Sequence, residues 1–206
     1  MKEPISQRSP GRRTLGSAPR LGAALLAAGS SRRFGDADKL AATFKGRRLG
    51  EHAAAAIPVE MFQRCWVITS ASGHACEPVW EARGFIPVVN ASASQGMGTS
   101  VALAARLAQR EGLDAVLIVL ADMPLVPREH FAALVRKADT PQAILVSADG
   151  EARMPPAAFG RDHFADLAQL EADTGARALI ARGTIVPCPP MWLADVDTPE
   201  ALKALD

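Results

Sequence analysis

Two stretches of this chain place carboxylates where a cation could be held, and two place small residues where an anion could be cradled. An apolar run ends in Ala27-Ala28-Gly29-Ser30-Ser31-Arg32-Arg33-Phe34-Gly35, with Lys39 shortly after. Small residues at 27–29 let successive backbone amides close on a polyphosphate, since a turn of such amides is a concavity for anions. Arg33, a planar fork, and Lys39, a point charge, would neutralise that phosphate. This is not the dinucleotide fingerprint, because no Gly stands two residues after Gly29, nor a phosphate loop of the Gly-Lys-Ser kind. The second stretch is Leu120-Ala121-Asp122-Met123-Pro124-Leu125. A carboxylate at the carboxyl end of a buried strand sits where open α/β sheets bind ligands, and Asp122 is a hard oxygen ligand of the type Mg²⁺ takes. The third is Asp195-Val196-Asp197, whose carboxylates share a face if the segment is extended. The fourth is Gln95-Gly96-Met97-Gly98-Thr99-Ser100, ahead of a helical pattern, whose amides suit an anion or a base edge.

Each feature also has a structural alternative. The first is open to reading as an ordinary Gly-rich turn, and Asp122 as a residue that opens a turn before Pro124. Asp195 and Asp197 would favour a following helix dipole, and Thr99 or Ser100 would cap a helix.

The elements that must position these residues alternate between short apolar runs and amphipathic segments, the pattern of parallel strands joined by helices. Strands are expected at Leu21–Ala27, Arg64–Thr69, Phe85–Val89, Ala115–Ala121, Ala143–Ser147 and, with the weakest pattern, Ile185–Pro187. Ala115–Ala121 is apolar throughout, as a central strand covered on both faces should be. Helices are expected at Thr99–Arg110, Arg128–Ala138, Arg161–Leu170, Thr174–Arg182 and Pro199–Leu205, the last with Thr198 as cap and Pro199 in the first turn. His52, His74, His130 and His163 fall in expected helices and are read as surface residues. No Gly-x-Ser-x-Gly elbow is present.

The chain of 206 residues, 49% hydrophobic and 22% charged, suits one α/β domain. Its net charge of +1 conceals an asymmetry. Residues 1–20 hold five basic side chains and one acid, which leaves 18 basic and 21 acidic residues in the rest. A body charge near −3 argues against a nucleic-acid surface. Residues 1–20, with three prolines and no apolar periodicity, are read as a disordered basic tail, and 21–206 as the domain. The tail has no apolar core of a secretory signal, although its Arg and Ser content also fits an organellar presequence. No stretch approaches a membrane span. A cytoplasmic protein is expected, with Cys65, Cys76 and Cys188 reduced.

Taken together, the four features stand in the order and spacing of one family. Ala27-Ala28-Gly29-x-Ser31-x-Arg33-x-Gly35 with Lys39, Gly96-Met97-Gly98-Thr99-Ser100, Ala121-Asp122-Met123-Pro124 and Asp195-Val196-Asp197-Thr198-Pro199-Glu200 resemble the molybdopterin nucleotidyltransferases. Pro155-Pro156-Ala157-Ala158-Phe159 and Asp173-Thr174-Gly175-Ala176-Arg177 agree, and the likeness covers residues 21–206. It implies a single Rossmann-like domain, a mixed, mostly parallel sheet of about seven strands flanked by helices. It implies that Asp122, Asp197 and Asp195 hold Mg²⁺, and that Arg33, Lys39 and Asp122 carry catalysis. Ala27, Ala28, Gly29, Ser31, Arg33 and Lys39 would bind the triphosphate, with Gly98, Thr99 and Ser100 facing the nucleotide. Thr69, Ser70 and Asn90 would border its base and ribose.

The most similar members transfer a cytidylyl group from CTP to the phosphate of molybdenum-molybdopterin, and a molybdenum hydroxylase or its chaperone would receive the product. Guanylyltransferase relatives usually have Gly-Gly where this chain has Ala28-Gly29, which favours CTP over GTP. The chain departs from the family at Arg47-Arg48-Leu49 and at Ala172, and Met154–Ala158 would shape the acceptor pocket. Three rivals remain: another nucleotide or phosphorylated acceptor, a non-catalytic cofactor-delivery module, and an NAD-dependent dehydrogenase.

Overall fold

The computed structural model describes residues 18–29, 34, 38–150, 152–171 and 175–205. Ser30, Ser31, Arg32, Arg33, Gly35, Asp173, Thr174 and residues 1–17 lie outside them.

In chain order the elements are β1 (Leu21–Leu26), β2 (Thr43–Phe44), β3 (Arg47–Arg48), α1 (Leu49–Ala56), β4 (Arg64–Thr69), α2 (Glu77–Ala82), β5 (Ile86–Val89) and α3 (Met97–Arg110). There follow β6 (Ala115–Leu120), α4 (Arg128–Lys137), β7 (Ile144–Ala148), β8 (Arg153–Gly160), α5 (Phe164–Leu167), α6 (Gly175–Ala181), β9 (Thr184–Pro187) and α7 (Pro199–Leu205). Seven strands form one sheet in the order β5-β4-β1-β6-β8-β7-β9, while β2 and β3 make a separate small hairpin. Only β8 runs against its neighbours in the large sheet. The expected mixed, mostly parallel sheet flanked by helices is what the chain forms.

Strand β1 shows why the sheet is sandwiched. Its side chains are all buried, and they alternate between two cores. Ala23, Leu25 and Ala27 face the core built with α1, α2 and α4, through Leu49, Trp80 and Phe131. Ala24, Leu26 and Ala28 face the core built with α3, α5 and α6, through Val101, Phe164 and Ile180. A parallel strand covered on both faces must be apolar at every position, and β1 and β6 both are. After β1 the chain passes to β4 on one side, and it later returns to β6 on the other. The carboxyl ends of β1 and β6 therefore flank a topological switch point, where such sheets open a crevice.

Several details differ from the sequence reading. Strand β8 was not expected, because Pro155 and Pro156 lie within it. Both fall in the register shift between Val146↔Ala157 and Ser147↔Met154, where a missing N–H breaks no ladder bond. The segment expected as a helix over Arg161–Leu170 is one 3₁₀ turn followed by the single turn of α5. His130 is not a surface residue: it is buried, with Nε2 2.7 Å from Ser147 Oγ, and Ser147 Oγ donates to Pro156 O at 2.8 Å. His74 lies in the turn before α2, not in a helix. Arg20, read as part of the tail, is fastened to the domain: its N–H donates to Asp114 Oδ2 and its Nε to Gln63 Oε1. The cysteines are free, and burial, with a smaller push from Glu60, raises Cys65 to about 12. Among the described residues no helix is long and apolar enough to cross a membrane.

Candidate active site

The register of β1 with β6 pairs Leu26 with Leu120, and Ala121 N–H donates to Leu26 O at 3.0 Å. The turn at 27–29 and Asp122 thus leave the sheet side by side. Ala27 N–H is used by Ile68 O at 2.8 Å, and Ala28 packs its methyl into the α3-side core. Gly29 is exposed, and a Cβ built there meets nothing within 4 Å. The protein itself therefore does not demand glycine at 29; close approach of a ligand would.

Lys39 reaches this point from a 3₁₀ turn, Lys39–Ala41, capped by Asp38 Oδ1 on Leu40 N–H at 3.0 Å. Its ammonium donates to Asp122 Oδ2 at 2.6 Å and to Asp197 Oδ1 at 3.1 Å. The segment that brings Asp197 is tied to the strand end by Val196 N–H on Asp122 O, 3.0 Å. Val196 is fully buried while Asp195 and Asp197 are not, the alternation expected of an extended segment. Three parts of the chain far apart in sequence, at 39, 122 and 196–197, thus converge on one spot.

The electrostatics of that spot follow from its burial. Lys39 is 7% exposed, and burial pulls its pKa down. Asp122 and then Asp197 outweigh this, so the ammonium titrates above its ordinary value and stays charged. Burial pushes the Asp122 carboxyl above the usual range; Lys39 draws it back part of the way, and the charge of Asp195 adds to the rise. Asp122 Oδ1 is buried and has no hydrogen-bond partner among the described residues. A buried carboxylate oxygen without a donor is costly unless a ligand completes it.

The remaining candidates fall in two places. Thr69 ends β4 fully buried, its hydroxyl without a hydrogen-bond partner among the described residues, and Ser70 beside it is exposed. Asn90, just after β5, donates from Nδ2 to Thr99 Oγ1 and to Ser100 Oγ, both at 2.9 Å, and its Oδ1 accepts Ser92 N–H. The side chain of Asn90 is thereby committed to holding the start of α3. Thr99 and Ser100 do not cap that helix. Its N-cap is Gly96 at φ 127°, a conformation L side chains rarely adopt, and Thr99 Oγ1 donates back to Gly96 O at 2.8 Å.

A cavity of about 880 Å³ opens between α3, β6, β8 and α6. Its walls are largely apolar, among them Met97, Leu120, Met123, Met154 and Phe159; Gly98, Arg153, Arg177 and Asp195 supply the polar edge. Leu120 and Met123 bracket Asp122, so the cavity runs up to the acidic cluster. Arg153 escaped the sequence reading because the strand that carries it did; no local pattern marks it.

One family model, described as the MobA-like NTP transferase domain, matches residues 23–186. The purine catabolism protein PucB of Bacillus subtilis (strain 168) is 32% identical over 200 residues, 88% of this chain and 94% of that protein. Among solved structures, Rv0371C of Mycobacterium tuberculosis H37Rv, in complex with manganese, superposes with a TM-score of 0.66 at 18% identity, covering 92% of this chain and 98% of its own. The molybdopterin-guanine dinucleotide biosynthesis protein A of Archaeoglobus fulgidus gives 0.60 at 18% identity, covering 89% and 96%. These two share the fold. The family match and the identity to PucB go further: the chain belongs to the MobA-like NTP transferases, within the molybdopterin nucleotidyltransferase family that its motifs resemble.

Proposed function

We propose that this protein transfers a cytidylyl group from CTP to the terminal phosphate of molybdenum-molybdopterin and releases pyrophosphate. The observation that carries the reading is Lys39 held between Asp122 and Asp197 at the switch point, in a chain of the NTP transferase family. The amides of Ala28 and Gly29 would receive the triphosphate, that of Ala27 being held by Ile68 O, with Lys39 and Arg33 neutralising its charge. The acceptor phosphate oxygen attacks the α-phosphorus of CTP as the bond to the β-phosphate oxygen breaks. The nucleophile is already an anion, so no general base is required of the protein. Catalysis then rests on placing the two substrates in line and on balancing charge.

Among the described residues no three His, Cys, Asp or Glu side chains gather into a complete metal site. Mg²⁺ needs no such cage, because one or two carboxylates and substrate phosphates suffice. The unpartnered Asp122 Oδ1 fits that need, with Asp197 and Asp195 alongside. When bound, the cation withdraws charge from the reacting phosphate and orients it. The manganese complex of the M. tuberculosis relative supports a divalent ion at this fold.

The 880 Å³ cavity is the acceptor site on this reading. Its apolar walls suit the body of a ring system, and Arg153 and Arg177 suit anionic groups at its edge. Ala28 in place of a second Gly favours CTP, and the product would pass to a molybdenum hydroxylase or its chaperone. A second reading has the name of PucB in its favour: a role in purine catabolism with GTP or another phosphorylated acceptor. Incubating the protein with Mg²⁺, each nucleoside triphosphate and molybdenum-molybdopterin, and following pyrophosphate, separates them. Release with CTP and this acceptor alone supports the first; release with another pair supports the second.

A further inference from the structure

Lys39 sits on a turn of only three residues, and such a turn does not hold itself rigid. A second turn, at 73–77, grips it from the side. We infer that His74 is a positioning residue, which acts through Asp38 to hold the Lys39 turn against Asp122.

The grip is built from several contacts. Glu77 Oε2 accepts the backbone N–H of Gly73 at 2.9 Å and of His74 at 3.3 Å, which closes the turn. Cys76 N–H donates to His74 Nδ1 at 3.0 Å, so Nδ1 is the bare nitrogen and Nε2 carries the hydrogen. That Nε2 stands 2.7 Å from Asp38 Oδ2, a close polar contact that does not meet hydrogen-bond geometry. The other oxygen of Asp38 caps the Lys39 turn through Leu40 N–H. From the same loop the Cys76 thiol donates to Leu40 O at 3.4 Å. Leu40 is therefore held at both its N–H and its carbonyl, next to the residue that reaches the acidic cluster.

The imidazole is itself fixed. It stacks on Trp80 with centroids 4.7 Å apart and planes 24° from parallel. Trp80 is fully buried, and its Nε1 donates to Gly50 O at 2.8 Å, which ties the platform to α1. The stack on Trp80 is the contact of His74 with the core. Its polar atoms all point into the loop pair that sets Lys39. A side chain that orients the one touching substrate commonly governs activity nearly as strongly, by about 10-fold or more when removed.

The inference rests on the proposed role of Lys39, so its test has one arm that needs no turnover. His74→Phe keeps an aromatic ring on Trp80 and removes both nitrogens; Asp38→Ala removes the carboxylate from the exposed side. In hydrogen–deuterium exchange of the full chain, both variants should exchange the 39–42 amides faster, with unchanged protection in β1 and β6. In the pyrophosphate assay each should lower kcat/KM about 10-fold. That loss should nearly vanish in a Lys39→Met background, because the residues act as one unit. Exchange over 39–42 at the wild-type rate, or losses that simply multiply with that of Lys39→Met, would overturn the inference. Faster exchange in a protein whose wild type releases no pyrophosphate would sustain the grip and reject the enzymatic reading instead.

Discussion

Asp122 and Lys39, 83 residues apart, meet at 2.6 Å, and the lysine uses only one of the two carboxylate oxygens. The other, Oδ1, is buried and lacks a hydrogen-bond partner among the described residues. Folding thus leaves an acceptor beside a fixed positive charge, at the point where β1 and β6 part. Such an arrangement is poor for stability and good for receiving a cation and a phosphate together.

Gly29→Ala should leave the thermal midpoint unchanged, because its new Cβ meets nothing within 4 Å. The same methyl should obstruct phosphate oxygens drawn to the turn amides. A rise in KM for the nucleotide of about tenfold is expected, equivalent to about 1.4 kcal/mol of lost contact. An unchanged KM would place the triphosphate elsewhere.

Ala28→Gly tests the base. It should raise the use of GTP relative to CTP about tenfold, because glycine frees the backbone at 28 to shift toward a larger base, the Ala28 methyl itself lying in the α3-side core. Ratios of kcat/KM for the two nucleotides decide it. A wild-type preference for GTP, or an unmoved ratio, removes the support Ala28 lends to CTP.

Much of this site was legible because its residues end or interrupt strong local patterns. Asp122 follows an unbroken apolar run, and Asp195 and Asp197 alternate with a buried valine. What stayed hidden depends on long-range packing. The alanine-rich α1 offers little periodicity, since Ala53 and Ala54 are buried while Ala55 and Ala56 are only partly so. The prolines of β8 conceal a strand whose bulge alone makes them harmless. The burial of His130 follows from its partner Ser147 on β7, which nothing near 130 reveals. Asn90, Thr99 and Ser100 were expected near the ligand; what the local sequence did not reveal is that Asn90 Nδ2 donates to both hydroxyls at the start of α3.

Gly160→Ala should destabilise the fold by about 1–3 kcal/mol, an overpacking cost. A Cβ there would collide with Pro141 O and stand 2.6 Å from Thr140 O, both backbone atoms that yield only if the loop moves. Denaturant midpoints measure it. Activity per folded molecule should persist, because the end of β8 is remote from Asp122.

Burial holds the His130 pKa below its ordinary value. A depressed pKa contributes stability that is full above the unfolded value of about 6.5 and is lost as pH falls through the folded value. Between about pH 7.5 and pH 5 the wild type should lose more stability than His130→Gln does. Equal losses in urea titrations at the two pH values would show that His130 does not carry the linkage.

The most direct measurement is pyrophosphate release by wild type and Asp122→Asn with CTP, Mg²⁺ and molybdenum-molybdopterin, alongside thermal unfolding of both. Asparagine preserves the shape at 122 and removes the charge that Lys39 and a cation share. The wild type should release pyrophosphate, and release should fall by roughly 100-fold or more in the variant, as expected when several kcal/mol of charge stabilisation is lost. The unfolding midpoint should stay near that of the wild type. Turnover by Asp122→Asn near the wild-type rate in saturating Mg²⁺ would contradict the assignment of the site.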